Sequence, residues 1–274
     1  MQATNVTAPD GLNLAVQEWG NPRGPEILLI HGFNQSYLSW LRQVDDPALA
    51  ANFRMITLDL RGHGASDKPL DKERYAHARW GDDIAAVMLA CGLRRPVLVG
   101  WSFGGNIICD YVRCFGTDSI AGINFVAAAT KAETAYFGPG RQNFPNMLSE
   151  DLATNIAGTR AFLRACFERQ PAENAFEIML AFNMVVPPRV RAAIFEHPRN
   201  TGDTLAQIKC PVLVTHGTED KVLLVALGRF TAGAVPGAKL SLYDGVGHGP
   251  FWEDAPRFNQ ELAEFVRSVN MTKQ

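Results

Sequence analysis

Short runs of branched apolar residues alternate along this chain with segments of helical period, and that alternation limits the possible folds more than any other feature. Ile27–Ile30, Met55–Leu58, Val97–Gly100, Ile120–Ala127, Val212–Thr215 and Lys239–Tyr243 read as strands, and Val6 with Leu12–Val16 reads as an alternating pair ahead of them. From Tyr75 to Gly92 the residues Ile84, Val87, Met88 and Cys91 fall at i, i+3, i+4 and i+7, with Gly92 where a helix stops. Helix-compatible sequence also runs to Phe115, and a last helix begins near Pro256 with Phe258, Leu262, Phe265 and Val269 on one face. Strand, helix and strand in series imply β-α-β units, so the chain is expected to be α/β, with a mainly parallel sheet covered by helices. Ligands of such sheets bind beyond the carboxyl ends of the strands.

One stretch departs from this pattern. Residues 130–204 are helix-rich and carry Phe144, Phe162, Phe167, Phe176, Phe182 and Phe195 together with Pro187-Pro188, which reads as a helical cap inserted into a core of residues 1–129 and 205–274. The formal charge of -2, from 26 basic and 28 acidic residues, supplies no cationic field for a nucleic acid. No apolar run reaches the roughly 18 to 20 residues that span a bilayer, so membrane insertion is not expected. Met1–Gly11 lacks the basic and apolar stretches of a secretory signal, which makes the cytoplasm the expected location. The five cysteines form no C-x-x-C pair and read as free thiols, so neither a disulfide framework nor a metal site is expected.

Chemistry concentrates at Gly100-Trp101-Ser102-Phe103-Gly104, which fits G-x-S-x-G. The pentapeptide alone is weak evidence, but here Val97-Leu98-Val99 precedes it as a strand and Gly105-Asn106-Ile107-Ile108 follows as a helix start, so Ser102 stands at that helix's positive end. A serine hydroxyl needs a base within hydrogen-bond reach and an acid to orient the base. Of six histidines, His31, His63 and His216 sit where imidazoles brace turns, and His77 and His197 read as surface residues. His248, flanked by Gly247 and Gly249 on a compact loop after the last strand, is the expected base. Asp220, just beyond the penultimate strand, is the expected acid, with Glu219 its nearest rival. Asp244 and Asp254 read as a turn residue and a helix cap.

The chain resembles the α/β-hydrolase superfamily from near Asp10 to Val269. Five motifs carry the resemblance together: the serine turn, Leu28-Leu29-Ile30-His31-Gly32-Phe33, Asp59-Leu60-Arg61-Gly62-His63-Gly64-Ala65-Ser66, His216-Gly217-Thr218-Glu219-Asp220 and Gly247-His248-Gly249. Tyr111-Val112-Arg113 through Gly116, with Ile120–Ala127, look most like the cofactor-free haloperoxidase, arylesterase and perhydrolase branch. Asn34 stands where that branch often carries proline. The resemblance implies an eight-stranded sheet, the order Ser102, Asp220, His248, and an oxyanion hole formed by the backbone N–H groups of Phe33 and Phe103.

These readings lead to a serine hydrolase of small carboxylic esters or lactones that works without metal or organic cofactor. Trp101, Asn34 and Trp252, with the Phe33 ring, are expected at the substrate pocket. Ser at position 102 disfavours a dehalogenase or an epoxide hydrolase, which the resemblance would give aspartate there. Carbon–carbon hydrolysis of ring-cleavage products, perhydrolysis, acyl transfer and a ligand receptor on the same scaffold keep the same three residues and stay open.

Overall fold

A computed structural model describes residues 1–196 and 201–271. His197, read above as a surface residue, lies outside them. The strands are β1 (Gln2–Thr7), β2 (Asn13–Gly20), β3 (Glu26–Ile30), β4 (Arg54–Leu58), β5 (Val97–Trp101), β6 (Gly122–Val126), β7 (Val212–Gly217) and β8 (Lys239–Tyr243). They form one sheet in the order β1-β2-β4-β3-β5-β6-β7-β8. β2 is antiparallel to both β1 and β4, and every later pairing is parallel. The fold is that of an α/β hydrolase.

Among the described residues the helices of eight or more residues are α1 (His77–Ala90), α2 (Phe103–Phe115), α3 (Leu152–Ala165), α4 (Glu173–Met184), α5 (Pro188–Phe195), α6 (Val225–Ala234) and α7 (Ala255–Met271), of which α1, α2, α6 and α7 pack on the sheet. Because central strands are covered on both faces, their sequences are continuously apolar, and alternate residues feed two different cores. Leu28, Ile30 and Leu98 pack with Ile84, Val87, Ile107 and Ile108 of α1 and α2. Ile27, Leu29, Val97 and Val99 pack on the opposite side with Phe258, Leu262 and Val266 of α7.

The start of α1 and the end of β6 differ from the sequence reading for local reasons. Lys72–Tyr75 forms its own 3-10 turn and Ala76 is extended, with ψ 152°, so α1 starts at His77. β6 stops at Val126 because Ala127 turns to φ 42°. Between β6 and β7 the chain leaves the sheet for short turns and then α3, α4 and α5. Arg191 of α5 is wholly buried there, and its guanidinium donates to the carbonyls of Met147, Asn183 and Val186 and to the side chains of Asn155 and Thr159. Among the described residues no single helix is long and apolar enough to cross a membrane.

β3 and β5 are neighbours, with Ile30 opposite Gly100, whereas β4 lies on the far side of β3. The segments leaving the carboxyl ends of β3 and β5, His31-Gly32-Phe33 and Trp101-Ser102-Phe103, therefore emerge side by side.

Candidate active site

Ser102 connects β5 to α2 with φ 53° and ψ -114°, a conformation that costs an L-residue on the order of 1–3 kcal/mol. Its neighbours hold it there. The Ser102 N–H donates to the Val126 carbonyl at 2.9 Å, and the Ser102 carbonyl accepts from Gly105 N–H at 2.9 Å and Ala129 N–H at 2.8 Å. Gly104 is required by close approach, since a Cβ at that position would lie 2.5 Å from the Ile30 carbonyl oxygen. The turn thus presses against the end of β3, and the Cβ of Ser102 lies 3.3 Å from where a side chain on Gly32 would begin.

His248 is buried on the loop after β8. Its N–H donates to the Cys166 carbonyl at 2.8 Å, and its carbonyl accepts from the Trp101 indole N–H at 2.8 Å. That second bond ties the histidine loop to the residue preceding Ser102. Nδ1 of His248 stands 2.7 Å from Oδ2 of Asp220, while Nε2 has no hydrogen-bond partner among the described residues. An acceptor-only carboxylate facing Nδ1 gives that nitrogen the proton and leaves Nε2 as the basic one.

Asp220 is buried and Glu219 is exposed, so Asp220 is the carboxylate at the histidine. Oδ1 of Asp220 accepts the N–H groups of Val222 and Leu223 at 2.8 and 2.9 Å. Burial by itself would raise the Asp220 pKa. The positive charge available on His248, and hydrogen bonds from His216 and His248, outweigh burial and hold the carboxyl well below the usual carboxylate range.

Sequence reasoning placed His216 as a turn brace. It braces the turn, through 2.8 Å between Nε2 and the Leu223 carbonyl, but the same nitrogen also lies 3.1 Å from Asp220 Oδ2. The spacing H-x-x-x-D at the end of a buried strand was the available signal. His31 and His63 also brace backbone: Nε2 of His31 accepts from Leu60 N–H and Nε2 of His63 from Asn34 N–H. His77 opens α1, where its Nδ1 lies 3.0 Å from Asp110 Oδ1.

Ser102 lines a cavity of about 250 Å³ whose other walls include Phe33, Phe103, Phe144, Phe162, Phe195, Val222 and Leu223. The Phe33 and Phe103 rings meet edge to face at 6.4 Å, and Phe195 reaches Phe33 at 4.6 Å, so α5 packs directly over the turn after β3. Among the described residues the Phe33 N–H has no acceptor. Phe103 is the first residue of α2, whose N-terminal end carries partial positive charge.

Trp101 and Trp252 line a second, smaller and almost wholly apolar cavity with Phe167 and Phe182. Asn34 lines neither cavity. It is buried at φ 61°, and its side-chain oxygen and nitrogen have no partner among the described residues. Asn106, Lys131 and Arg141 line the Ser102 cavity and were not found by sequence reasoning. The spacing of Phe137, Arg141 and Phe144, four and three residues apart, was the trace the last of these left. No group of three or more potential metal ligands occurs among the described residues.

The chain as a whole is similar to proteins already known. A profile described as the Alpha/beta hydrolase family matches residues 27–261. A Burkholderia cenocepacia protein provisionally classed as an aryl esterase is 37% identical, with a TM-score of 0.95 over 98% of this chain and 100% of that one. The esterase RhEst1 from Rhodococcus sp. ECU1013 is 35% identical, with a TM-score of 0.91 and the same coverage. A bifunctional esterase/perhydrolase of Acinetobacter calcoaceticus is 28% identical over 96% of this chain and 99% of its own.

Proposed function

Because this chain belongs to the alpha/beta hydrolase family, we propose that it is a serine hydrolase of small carboxylic esters or lactones, acting through an acyl-enzyme. The observation that carries the proposal is the buried contact of 2.7 Å between Asp220 and His248, on a loop tied to Trp101 next to the strained Ser102 turn. The esterases among its relatives support the substrate class.

In this reading Nε2 of His248 takes the Ser102 proton as Oγ attacks the ester carbonyl, and returns it to the departing alcohol. Asp220 keeps the imidazole in the required tautomer and stabilises its charged form. The N–H groups of Phe33 and Phe103 receive the negative oxygen of the tetrahedral intermediate, each donor lowering the barrier by about 3 kcal/mol. Water then attacks the acyl-enzyme, again with His248 as base, and releases the acid. Residues 130–204 serve as a cap: Phe144, Phe162 and Phe195 close an apolar chamber over the serine and favour an acyl group of modest size. Soluble location in the cytoplasm and a small-molecule partner fit this role.

The name of the Acinetobacter relative favours a side reaction in which hydrogen peroxide replaces water and the product is a peracid. Bromide oxidation in the presence of acetate and peroxide measures it.

The test is hydrolysis of p-nitrophenyl esters from acetate to decanoate by wild type and by folded Ser102→Ala. The expected result is turnover by wild type, a chain-length optimum, and a loss on the order of 10⁴-fold or more in the variant. No turnover of any ester by folded wild type overturns the esterase reading in favour of carbon–carbon hydrolysis, acyl transfer or a receptor.

A further inference from the structure

The cavity holding Ser102 is apolar apart from Asn106 and two cations, and the cations differ in one respect. Nζ of Lys131 is paired with Glu133 at 2.8 Å and sits over the Phe230 ring, so its charge is already compensated. Arg141 has no such partner. Among the described residues no carboxylate lies within ion-pair distance of its guanidinium, and none of its side-chain donors meets an acceptor.

What holds Arg141 is aromatic. Its guanidinium carbon lies 3.6 Å from the Phe137 ring centroid and 4.9 Å from that of Phe144, and both rings line the same cavity. These ring contacts hold the guanidinium in the cavity wall without using its N–H groups. The backbone is fixed as well. Gly138 and Gly140 donate to the carbonyls of Val222 and Lys221, the residues that directly follow Asp220. A rigid cation is therefore anchored to the segment that carries the candidate acid. Partial burial pulls the Arg141 pKa down to about 10, which leaves it charged at neutral pH.

A guanidinium half-withdrawn from water gains from a counter-charge, and a planar fork of N–H donors matches a carboxylate. We propose that the ester bound beside Ser102 carries a carboxylate at the far end of its apolar acyl group, and that Arg141 binds that carboxylate. The inference deepens the esterase reading and rests on it. Methylene or aryl carbons occupy the phenylalanine-lined space, the ester carbonyl lies at Ser102, and the terminal charge meets Arg141. Substrates of this class are half-esters of dicarboxylic acids.

The experiment compares monomethyl adipate with methyl hexanoate, which differ only in carboxylate against methyl at the end of the acyl chain. Acid release is followed by pH-stat for wild type, Arg141→Met and Arg141→Lys. The readout is the ratio of the two kcat/KM values in one enzyme preparation, from which the fraction of folded protein cancels. Wild type is expected to prefer the half-ester, Arg141→Met to lower the ratio by about 10- to 100-fold, the size of a charge-assisted hydrogen bond, and Arg141→Lys to keep part of it. A wild type that prefers methyl hexanoate, or an Arg141→Met variant in which both substrates fall together and the ratio stays, overturns the inference while leaving the esterase reading intact. No turnover of any ester by folded wild type removes both.

Discussion

Nε2 of His216 lies 3.1 Å from Oδ2 of Asp220, and both side chains are completely buried. Since the same nitrogen faces the Leu223 carbonyl at 2.8 Å, it is placed between two acceptors and carries a hydrogen. Asp220 is thus held by a histidine other than His248, and in the proposed reaction His216 would position that carboxylate.

Replacing His216 by Gln removes a charge-assisted hydrogen bond from the acid, and kcat on p-nitrophenyl acetate should fall about 10- to 100-fold with a smaller change in KM. Gly228→Ala offers a second route to the same outcome, because a Cβ there would lie 2.7 Å from His216 Nδ1 and crowd the ring. Active-site titration keeps folding separate from rate. Wild-type kcat in folded His216→Gln would show that Asp220 needs no second histidine.

His31 and His63 give a pH signature in stability. In each ring one nitrogen accepts a backbone N–H and the other faces a backbone carbonyl, so the neutral form is the one the fold uses. Burial pushes His31 down to about 4 from its ordinary 6.5, and burial followed by the charge of His31 pushes His63 in the same direction. With folded pKa values below the unfolded ones, this stability is present above pH 6.5 and is lost as pH falls toward 4, as the unfolded chain takes up protons first. Asp83, raised to about 6 by burial, titrates in the same window with opposite sign. The difference between wild type and His31→Gln isolates the imidazole. In denaturant unfolding the advantage of wild type should shrink by about 3 kcal/mol between pH 7.5 and 4, and a constant advantage would refute the assignment.

Gly104→Ala forces a methyl group to within 2.5 Å of the Ile30 carbonyl and 3.0 Å of the His31 carbonyl, both of them backbone. Neither can move without shifting the end of β3. Unfolding free energy should drop by about 1–3 kcal/mol and kcat/KM by about 100-fold, since the displaced groups are the Ser102 turn and Phe33. A stable, fully active Gly104→Ala variant would mean that the turn does not depend on this close approach.

Arg191 secures the helices between β6 and β7 with neutral acceptors alone. Arg191→Met takes the charged donor away from those buried acceptors and should destabilise the protein by about 3 kcal/mol, with amide exchange accelerating in α3 and α5 well before β5 and β6. Arg191→Lys should not restore it, because one ammonium cannot reach acceptors spread from Met147 to Val186. Unchanged protection in α3 and α5 would show that packing alone holds them.

Periodicity and turn chemistry are local, and what depends on them was legible in the chain itself: the strands, α1, α2 and α7, the serine turn between β5 and α2, and the loop carrying His248. The order Ser102, Asp220, His248 follows from motifs whose residues lie next to one another. Choices that depend on segments distant in sequence were not legible. Sequence position favours Asp220 over Glu219, but the burial that separates the two comes from the path of the backbone after β7. Trp101 and Trp252 are as aromatic as Phe33 and Phe195, yet they line a different cavity. Arg141 looks like a surface cation until Phe137 and Phe144 enclose it and no carboxylate arrives. Local sequence sets backbone conformation through short-range sterics and hydrogen bonding. Burial, charge pairing and cavity shape are sums over residues that meet only when the sheet and the helices between β6 and β7 close on each other, so the tertiary structure alone decided them.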